Sequence, residues 1–76
     1  MYLVLKEVRT IITLQIDKEW NGDYTFTVSN TFESRSLSVP SYQVSDFGIQ
    51  QAKNNIQFAF DLDDGISKVK QALGIY

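Results

Sequence analysis

Residues 19–28, EWNGDYTFTV, place an Asn-Gly step between two runs in which apolar and polar residues alternate. Alternation is typical of half-buried strands, and Asn-Gly is typical of tight turns because both residues tolerate a positive φ. The stretch therefore predicts a β-hairpin whose turn contains Asn21 and Gly22. Trp20 and Tyr24, which flank the turn, are expected on one face.

The register of this hairpin depends on burial as well as on the turn. A two-residue loop would place Ile16 opposite Thr27, so that a core side chain would face a hydroxyl. Placing Ile16 opposite Val28 keeps the apolar side chains together, and each large side chain kept buried is worth about 1.5–3 kcal/mol. We therefore predict this pairing, with a three-residue loop at 21–23 or a two-residue loop beside a bulge.

Alternation marks further strands along the chain. Residues 35–39 alternate and then reach Pro40, which lacks a backbone donor and favours a strand end or an edge strand. Residues 56–62 alternate again, and the apolar run within residues 1–10 predicts a first strand with a break near residues 7–9. The side chains predicted to face the core are Ile12, Leu14, Ile16, Tyr24, Phe26, Val28, Phe32, Leu37, Val39, Ile56, Phe58, Phe60 and Leu62.

Residues 41–55 are the least defined part of the chain. They fit a short helix capped by Ser45 or Asp46, and they also fit a strand that turns at 54–55. Gly48 disfavours a helix, and the apolar spacing matches neither pattern. We expect an extended or irregular segment here, with helix and strand both left open.

The end of the chain predicts an amphipathic helix. Asp63 or Asp64 would cap its first turn, where negative charge interacts favourably with the helix dipole, and Gly74 would end it. Its apolar stripe would comprise Ile66, Val69, Leu73 and Tyr76, with Ala72 beside it.

Together these elements predict an α+β fold in one small domain, residues 1–76. An antiparallel sheet of three to five strands would carry the C-terminal helix on one face, in the order β-β-β-(x)-β-α. A domain of this size buries only about 60% of the surface that its unfolded chain exposes. Oligomerisation often supplies the missing burial, so we expect a homodimer or a larger homo-oligomer formed through sheet edges or a sheet face.

The composition restricts the possible activities. The chain has 76 residues, a net charge of −2, no histidine and no cysteine. The commonest general base, the nucleophilic triads and the imidazole and thiolate metal ligands are therefore missing. We expect no enzyme, no catalytic residue, no cofactor and no bound metal. The absence of cysteine, of a signal-peptide core and of a membrane-spanning run predicts a cytoplasmic protein without membrane contact.

One carboxylate cluster, DLDDG at residues 61–65, resembles a cation loop only in part. A calcium loop requires more oxygen ligands and a glutamate that follows at a distance, and none follows here. Capping of the C-terminal helix accounts for Asp61, Asp63 and Asp64 without a metal. A subunit with a carboxylate metal site is therefore kept only as a second alternative.

Two features indicate a surface for a partner. Trp20 and Tyr24 lie at the hairpin tip, and exposed Trp and Tyr are common at interfaces. The outer face of the second strand carries a nearly uncharged hydroxyl row, where natural sheets more often place charge. The predicted partner-binding residues are Trp20, Tyr24, Thr25, Thr27, Ser29 and Thr31.

These features favour a small non-enzymatic protein-protein interaction module with an unidentified protein partner. A compact acidic chain without catalytic groups fits a phage-encoded or toxin-antitoxin-type inhibitor. The alternative is a nucleic-acid-binding domain using Lys6, Arg9, Lys18 and Arg35. No basic patch is visible in the sequence, which disfavours contact with a phosphate backbone.

Overall fold

The computed structural model describes residues 11–75, which form a three-stranded antiparallel sheet followed by two helices. This order confirms the α+β class. The strand predicted within residues 1–10 and the helical position of Tyr76 lie outside the described residues. The elements are β1 (Thr13–Lys18), β2 (Tyr24–Ser29), β3 (Ser34–Val39), a 3₁₀ turn (Ser41–Gln43), α1 (Asp46–Asn55), a second 3₁₀ turn (Ile56–Phe58) and α2 (Leu62–Leu73).

Within β1 and β2 the side chains keep the predicted faces but not the predicted pairing, and Trp20, expected on one face with Tyr24, lies in the loop instead. Ile16 lies opposite Phe26, while Val28 lies opposite Leu14. The predicted Ile16–Val28 pair is therefore wrong by two positions. A shift of two leaves every side chain on its face, because side chains alternate with a period of two.

The turn of this hairpin explains the shift. The backbone N–H of Glu19 donates to the carbonyl of Asp23 at 2.7 Å, so these two residues close the loop. Gly22 has a φ of 95°, in the left-handed region that the last residue of a three-residue hairpin loop adopts. The loop is therefore 20–22, one residue earlier than the predicted 21–23, because glycine takes the left-handed position.

Helix α2 lies on the inner face of the sheet, where it contacts β2 and β3, and α1 packs against α2. The predicted packing of a C-terminal helix on the sheet is thus confirmed in part, since α2 covers two of the three strands. At Gly65 a Cβ atom would lie 2.6 Å from the Cγ1 of Val28, so glycine allows α2 to approach β2 closely. The buried core comprises Phe26, Val28, Val39, Ala52, Leu62, Val69 and Leu73.

Asp46–Asn55 form a helix, so the extended segment expected here is wrong and the helical alternative holds. The Oγ of Ser45 caps it by accepting from the N–H of Gly48 at 3.0 Å. Gly48 has low helix propensity, but a Cβ atom at this position would lie 2.9 Å from Leu73 Cδ2 and 3.3 Å from the carbonyl oxygen of Ala72. The glycine therefore serves the close contact of α1 with α2.

The fourth strand predicted over residues 56–62 is not formed. Ile56–Phe58 make a 3₁₀ turn directly after α1, and α2 follows too soon for a strand to fit between them. Phe58 and Phe60, predicted to face the core, are 67% and 86% exposed. Phe32, also predicted to face the core, is 86% exposed because it lies in the turn after β2.

The N-terminal cap of α2 is Asp61, not Asp63 or Asp64. The Oδ1 of Asp61 accepts from the N–H of Asp64 at 2.8 Å. Leu62 is already helical and buried, which makes the residue before it the cap. Asp64 does accept a backbone hydrogen bond at the helix start, from the N–H of Phe60 at 3.0 Å.

The C-terminal end of α2 is confirmed at Gly74, whose φ of 76° is left-handed. This conformation is the usual end of a helix at a glycine. Within residues 11–75, neither helix is long and apolar enough to cross a membrane.

Candidate interaction site

The β1–β2 turn carries the most exposed large apolar side chain of the described part of the chain. Trp20 is 96% exposed at the first position of the loop. Besides the bond that closes the loop between Glu19 and Asp23, the Oδ1 of Asn21 accepts from the N–H of Asp23 at 3.0 Å. The N–H of Gly22 donates to the carbonyl oxygen of Glu19 at 2.9 Å. This bond closes a β-turn that accepts most residue types at the position of Trp20. The fold therefore does not require an aromatic residue there.

Two further exposed aromatic side chains lie at the same end of the molecule. β3 ends at Val39, opposite Tyr24, so the following 3₁₀ turn with Tyr42 lies near the β1–β2 turn. The C-terminal end of α2 also lies at this end of the molecule, and the first turn of α1 packs on it. Phe47 belongs to that first turn of α1. Tyr42 and Phe47 are 86% and 72% exposed. We call the end of the molecule that carries Trp20, Tyr42 and Phe47 the Trp20 end.

Hydroxyl side chains cover the outer face of the sheet, opposite the helices. Thr27 Oγ1 lies 3.3 Å from Ser36 Oγ across β2 and β3, and Thr13 Oγ1 lies 3.1 Å from Ser29 Oγ across β1 and β2. The face is therefore polar and partly satisfied by its own hydrogen bonds. The hydroxyl residues of this face are Thr13, Thr25, Thr27, Ser29, Ser34, Ser36 and Ser38.

The six predicted partner-binding residues do not form one surface. Thr25, Thr27 and Ser29 share the outer face of β2, whereas Tyr24 faces the helix side, where its ring centroid lies 6.4 Å from that of Phe26. Lys18 Nζ lies 5.8 Å from the centroid of the Tyr24 ring. Of the others, Trp20 lies in the first turn and Thr31 in the second, so they flank the hydroxyl row at opposite ends.

The opposite end of the molecule carries the β2–β3 turn. The N–H of Asn30 donates to the carbonyl of Glu33 at 2.9 Å, and Asn30 Oδ1 accepts from the N–H groups of Phe32 and Glu33 at 2.7 and 2.8 Å. The start of β1 also lies here, because β1 begins opposite the last residue of β2. The connection from α1 to α2 lies here as well, because the first turn of α2 is bonded to the start of β3. Four exposed apolar side chains result: Ile11, Phe32, Phe58 and Phe60, which we call the Phe32 end.

The carboxylates near the start of α2 are engaged within the protein. Asp61 caps the helix, Asp64 Oδ2 lies 3.5 Å from Lys68 Nζ, and Asp63 Oδ1 accepts from Arg35 Nε at 3.2 Å. The hydrogen bond and the negative charge of Asp63, together with the nearby charge of Glu33, raise the pKa of Arg35. Within residues 11–75, no cluster of three or more potential ligands is arranged to hold a metal ion.

No protein-family model, no curated protein and no solved structure matches this chain. The site is therefore defined by its own geometry. Sequence reasoning identified Trp20 but missed Tyr42 and Phe47, and it assigned Phe58 and Phe60 to the core. Only the position of each helix cap could have indicated this, because Phe47 lies two residues after the cap Ser45 and Phe60 lies directly before the cap Asp61.

Proposed function

We propose that the protein is a small non-enzymatic protein-protein interaction module that uses Trp20 as its anchor, meaning the side chain that a partner buries. One observation carries the proposal: Trp20 is 96% exposed on a turn whose backbone is fixed by hydrogen bonds and does not need a tryptophan. An anchor presented on an ordered turn loses little conformational freedom on binding. Tryptophan is also the residue type most enriched among energetically dominant interface positions.

The exposure of aromatic residues extends this support. The described residues include eight aromatics, of which Tyr24 and Phe26 belong to the helix-facing side of the sheet. The other six are exposed: Trp20, Phe32, Tyr42, Phe47, Phe58 and Phe60. A small chain with few core residues gains stability from each aromatic that it buries, so the three aromatics left in water at the Trp20 end favour burial by a partner there.

The acidic side chains near the anchor favour a partner with basic groups. Glu19 and Asp23 close the loop on either side of Trp20, and Asp46 lies at the start of α1 at the same end. Thr25 Oγ1 donates to Glu19 Oε2 at 2.8 Å, which holds that carboxylate beside the hydroxyl row. We expect a protein partner with an apolar pocket for the indole and basic side chains at the rim of that pocket.

The remaining functional predictions stay proposals. An inhibitor role of the phage-encoded or toxin-antitoxin type fits a module that acts only by binding, and a cytoplasmic location stays a prediction. Among the cations considered for nucleic acid, Arg35 is bonded to Asp63 and Glu33, and Lys18 lies over the Tyr24 ring. Nothing in residues 11–75 therefore favours a nucleic-acid partner over a protein partner.

The test compares two exposed aromatics on two hairpin turns. The full chain, Trp20→Ser and Phe32→Ser are immobilised and exposed to a native extract, and any protein retained by the full chain is purified and titrated against all three. Loss of a central anchor costs about 2 kcal/mol or more, so Trp20→Ser should weaken binding about 30-fold or more. Phe32→Ser serves as the matched control and should bind like the full chain. Equal affinity of Trp20→Ser and the full chain would contradict the proposal.

A further inference from the structure

The free edge of β3 presents backbone groups that have no partner among residues 11–75. The N–H of Asn30 donates to the carbonyl oxygen of Glu33, so Glu33 and every second residue after it in β3 bond to β2. Alternate residues of an antiparallel strand bond to opposite sides, so Ser34, Ser36 and Ser38 direct their N–H and C=O groups away from β2. All three serines are exposed.

This edge lacks the features that usually protect an edge strand. Natural sheets protect edges with charges, proline or bulges. The one charged residue of β3 is Arg35, which faces the helix side and is bonded to Asp63 at 3.2 Å. Pro40 lies beyond the strand. The other edge of the described sheet, on β1, ends in the charged pair Asp17 and Lys18, so β3 is the edge better suited to accept another strand.

We infer that β3 pairs with β3 of a second copy of this chain, antiparallel and about a two-fold axis at Ser36. In this register Ser36 lies opposite its own copy, and Ser34 lies opposite Ser38 of the other chain. Each of these three residue pairs exchanges two backbone hydrogen bonds. The two sheets join into one sheet of six strands with a continuous hydroxyl face.

The second copy is the occupant because the strand is complementary to itself. On the outer face, serine meets serine in every pair. On the inner face Arg35 lies opposite Leu37, so no like charges are directly opposed, and the two acidic partners of Arg35 balance its charge. A register centred nearer Pro40 would lose a donor, because proline has no N–H. This interface is separate from the Trp20 end and does not depend on the proposed function.

Single cysteines can test the register, since the chain has none of its own. Across the two-fold axis the Cα atoms at position 36 would lie about 5.5 Å apart, within the range of a disulfide. The Cα atoms at position 27 would be three strand spacings apart, about 14 Å, which is too far. Thr27 lies directly opposite Ser36 on the outer face, so Thr27→Cys is a matched control for Ser36→Cys.

The experiment oxidises each full-length variant at high protein concentration and measures covalent dimer by non-reducing electrophoresis, with circular dichroism as the check on folding. We expect Ser36→Cys to give mostly covalent dimer and Thr27→Cys to give at least about tenfold less, as the distances require. Dimer from Thr27→Cys instead would indicate stacked outer faces and overturn the inference. Dimer from Ser38→Cys above that from Ser36→Cys would overturn the register, and absence of dimer from all variants would overturn the pairing.

A second measurement uses the unlinked protein. Sedimentation of the full chain should give a weight-average mass that rises from monomer towards dimer with concentration. Ser36→Lys places two like charges across the axis and should lower the dimer fraction strongly, whereas Thr27→Lys places them beyond the Debye length of about 8 Å and should leave it nearly unchanged. Trp20→Ser should also leave it unchanged. A monomer at all concentrations, or a dimer weakened only by Thr27→Lys, would contradict pairing through β3.

Discussion

The two hairpin turns of this sheet lie at opposite ends of the molecule and fix their backbones in different ways. The β1–β2 turn has three loop residues and relies on left-handed Gly22, with one bond to the Asn21 side chain. The β2–β3 turn has two, and the side chain of Asn30 accepts two backbone N–H groups. Each turn nevertheless exposes one large aromatic, Trp20 or Phe32.

In both turns the backbone and the exposed aromatic side chain therefore have separate roles. In both turns the asparagine side chains and the backbone supply the hydrogen bonds, and the aromatic side chain adds no burial. Substitution of Phe32 should therefore affect neither binding nor stability, whereas substitution of Trp20 should affect binding and leave stability alone. Substitutions of the glycine and asparagines should do the reverse.

The largest loss of stability is expected from a core residue, Phe26, and it serves as the reference for substitutions in both turns. Phe26 is fully buried between the turns on the central strand, and Phe26→Ala should lower the free energy of unfolding by about 3–5 kcal/mol. Trp20→Ala and Phe32→Ala should each change it by no more than about 0.5 kcal/mol. Urea unfolding followed by circular dichroism measures all three. A loss comparable to that of Phe26→Ala at either turn would show that its aromatic is part of the core.

The next largest loss of stability is expected at Gly22, because the β1–β2 turn depends on its left-handed backbone conformation. Gly22 has a φ of 95° and no heavy atom within 4 Å of the place of a Cβ, so the cost of Gly22→Ala is one of conformation alone. We expect a loss of about 1–2 kcal/mol, because L residues are disfavoured in this region. In the same urea titration, Thr31→Ala in the second turn serves as the control and should be near neutral. A neutral Gly22→Ala would contradict the left-handed loop.

Replacing the two turn asparagines should lower stability in proportion to the number of backbone hydrogen bonds that each side chain accepts. Asn30 accepts two short backbone hydrogen bonds and Asn21 accepts one of 3.0 Å. Each net bond is worth about 0.5–1.5 kcal/mol. Asn30→Ala should therefore destabilise by about 1–2 kcal/mol, and Asn21→Ala by about half as much. Equal melting temperatures for the two variants would mean that the side chains contribute less than their geometry indicates.

The smallest effect concerns the ion pair that joins the second turn to α2. Arg35 is exposed and bonded to Asp63 and Glu33, so Arg35→Gln should lower the melting temperature slightly and the difference should vanish in 1 M salt, where the Debye length is about 3 Å. The pKa of Arg35 is raised by these carboxylates. Its contribution is therefore present below the unfolded pKa and is lost only as strongly alkaline pH passes the folded pKa. A difference that persists in high salt would point to packing instead.

The sheet was largely predictable because its signal is local. Alternation in β1, β2 and β3 placed Ile16, Phe26, Val28 and Leu37 on one face, as the structure shows. The exact pairing was not predictable, since registers that differ by two residues bury the same face. The register is decided by the loop, in which the left-handed residue Gly22 takes the last of the three positions.

The helices after the sheet were less predictable because their decisive contacts are not local. Gly48 lowers helix propensity, and only its packing against Leu73 explains why a helix contains it. Residues 56–62 alternate as a strand would, yet no neighbouring strand of the described sheet pairs with them. Of the candidate site, Trp20 could be found from its place in a hairpin, whereas the position of Tyr42 and Phe47 at the same end of the molecule required the three-dimensional path of the chain.

The fluorescence of Trp20, the chain's one tryptophan, tests its role as the anchor most directly. In the isolated protein its emission maximum and its quenching by acrylamide should match those of the urea-unfolded chain, because the indole is 96% exposed. Saturation with the purified partner should shift the emission to shorter wavelength and suppress quenching, since the indole would move into an apolar pocket. A complex in which the emission and quenching of Trp20 stay unchanged would contradict its role as the anchor.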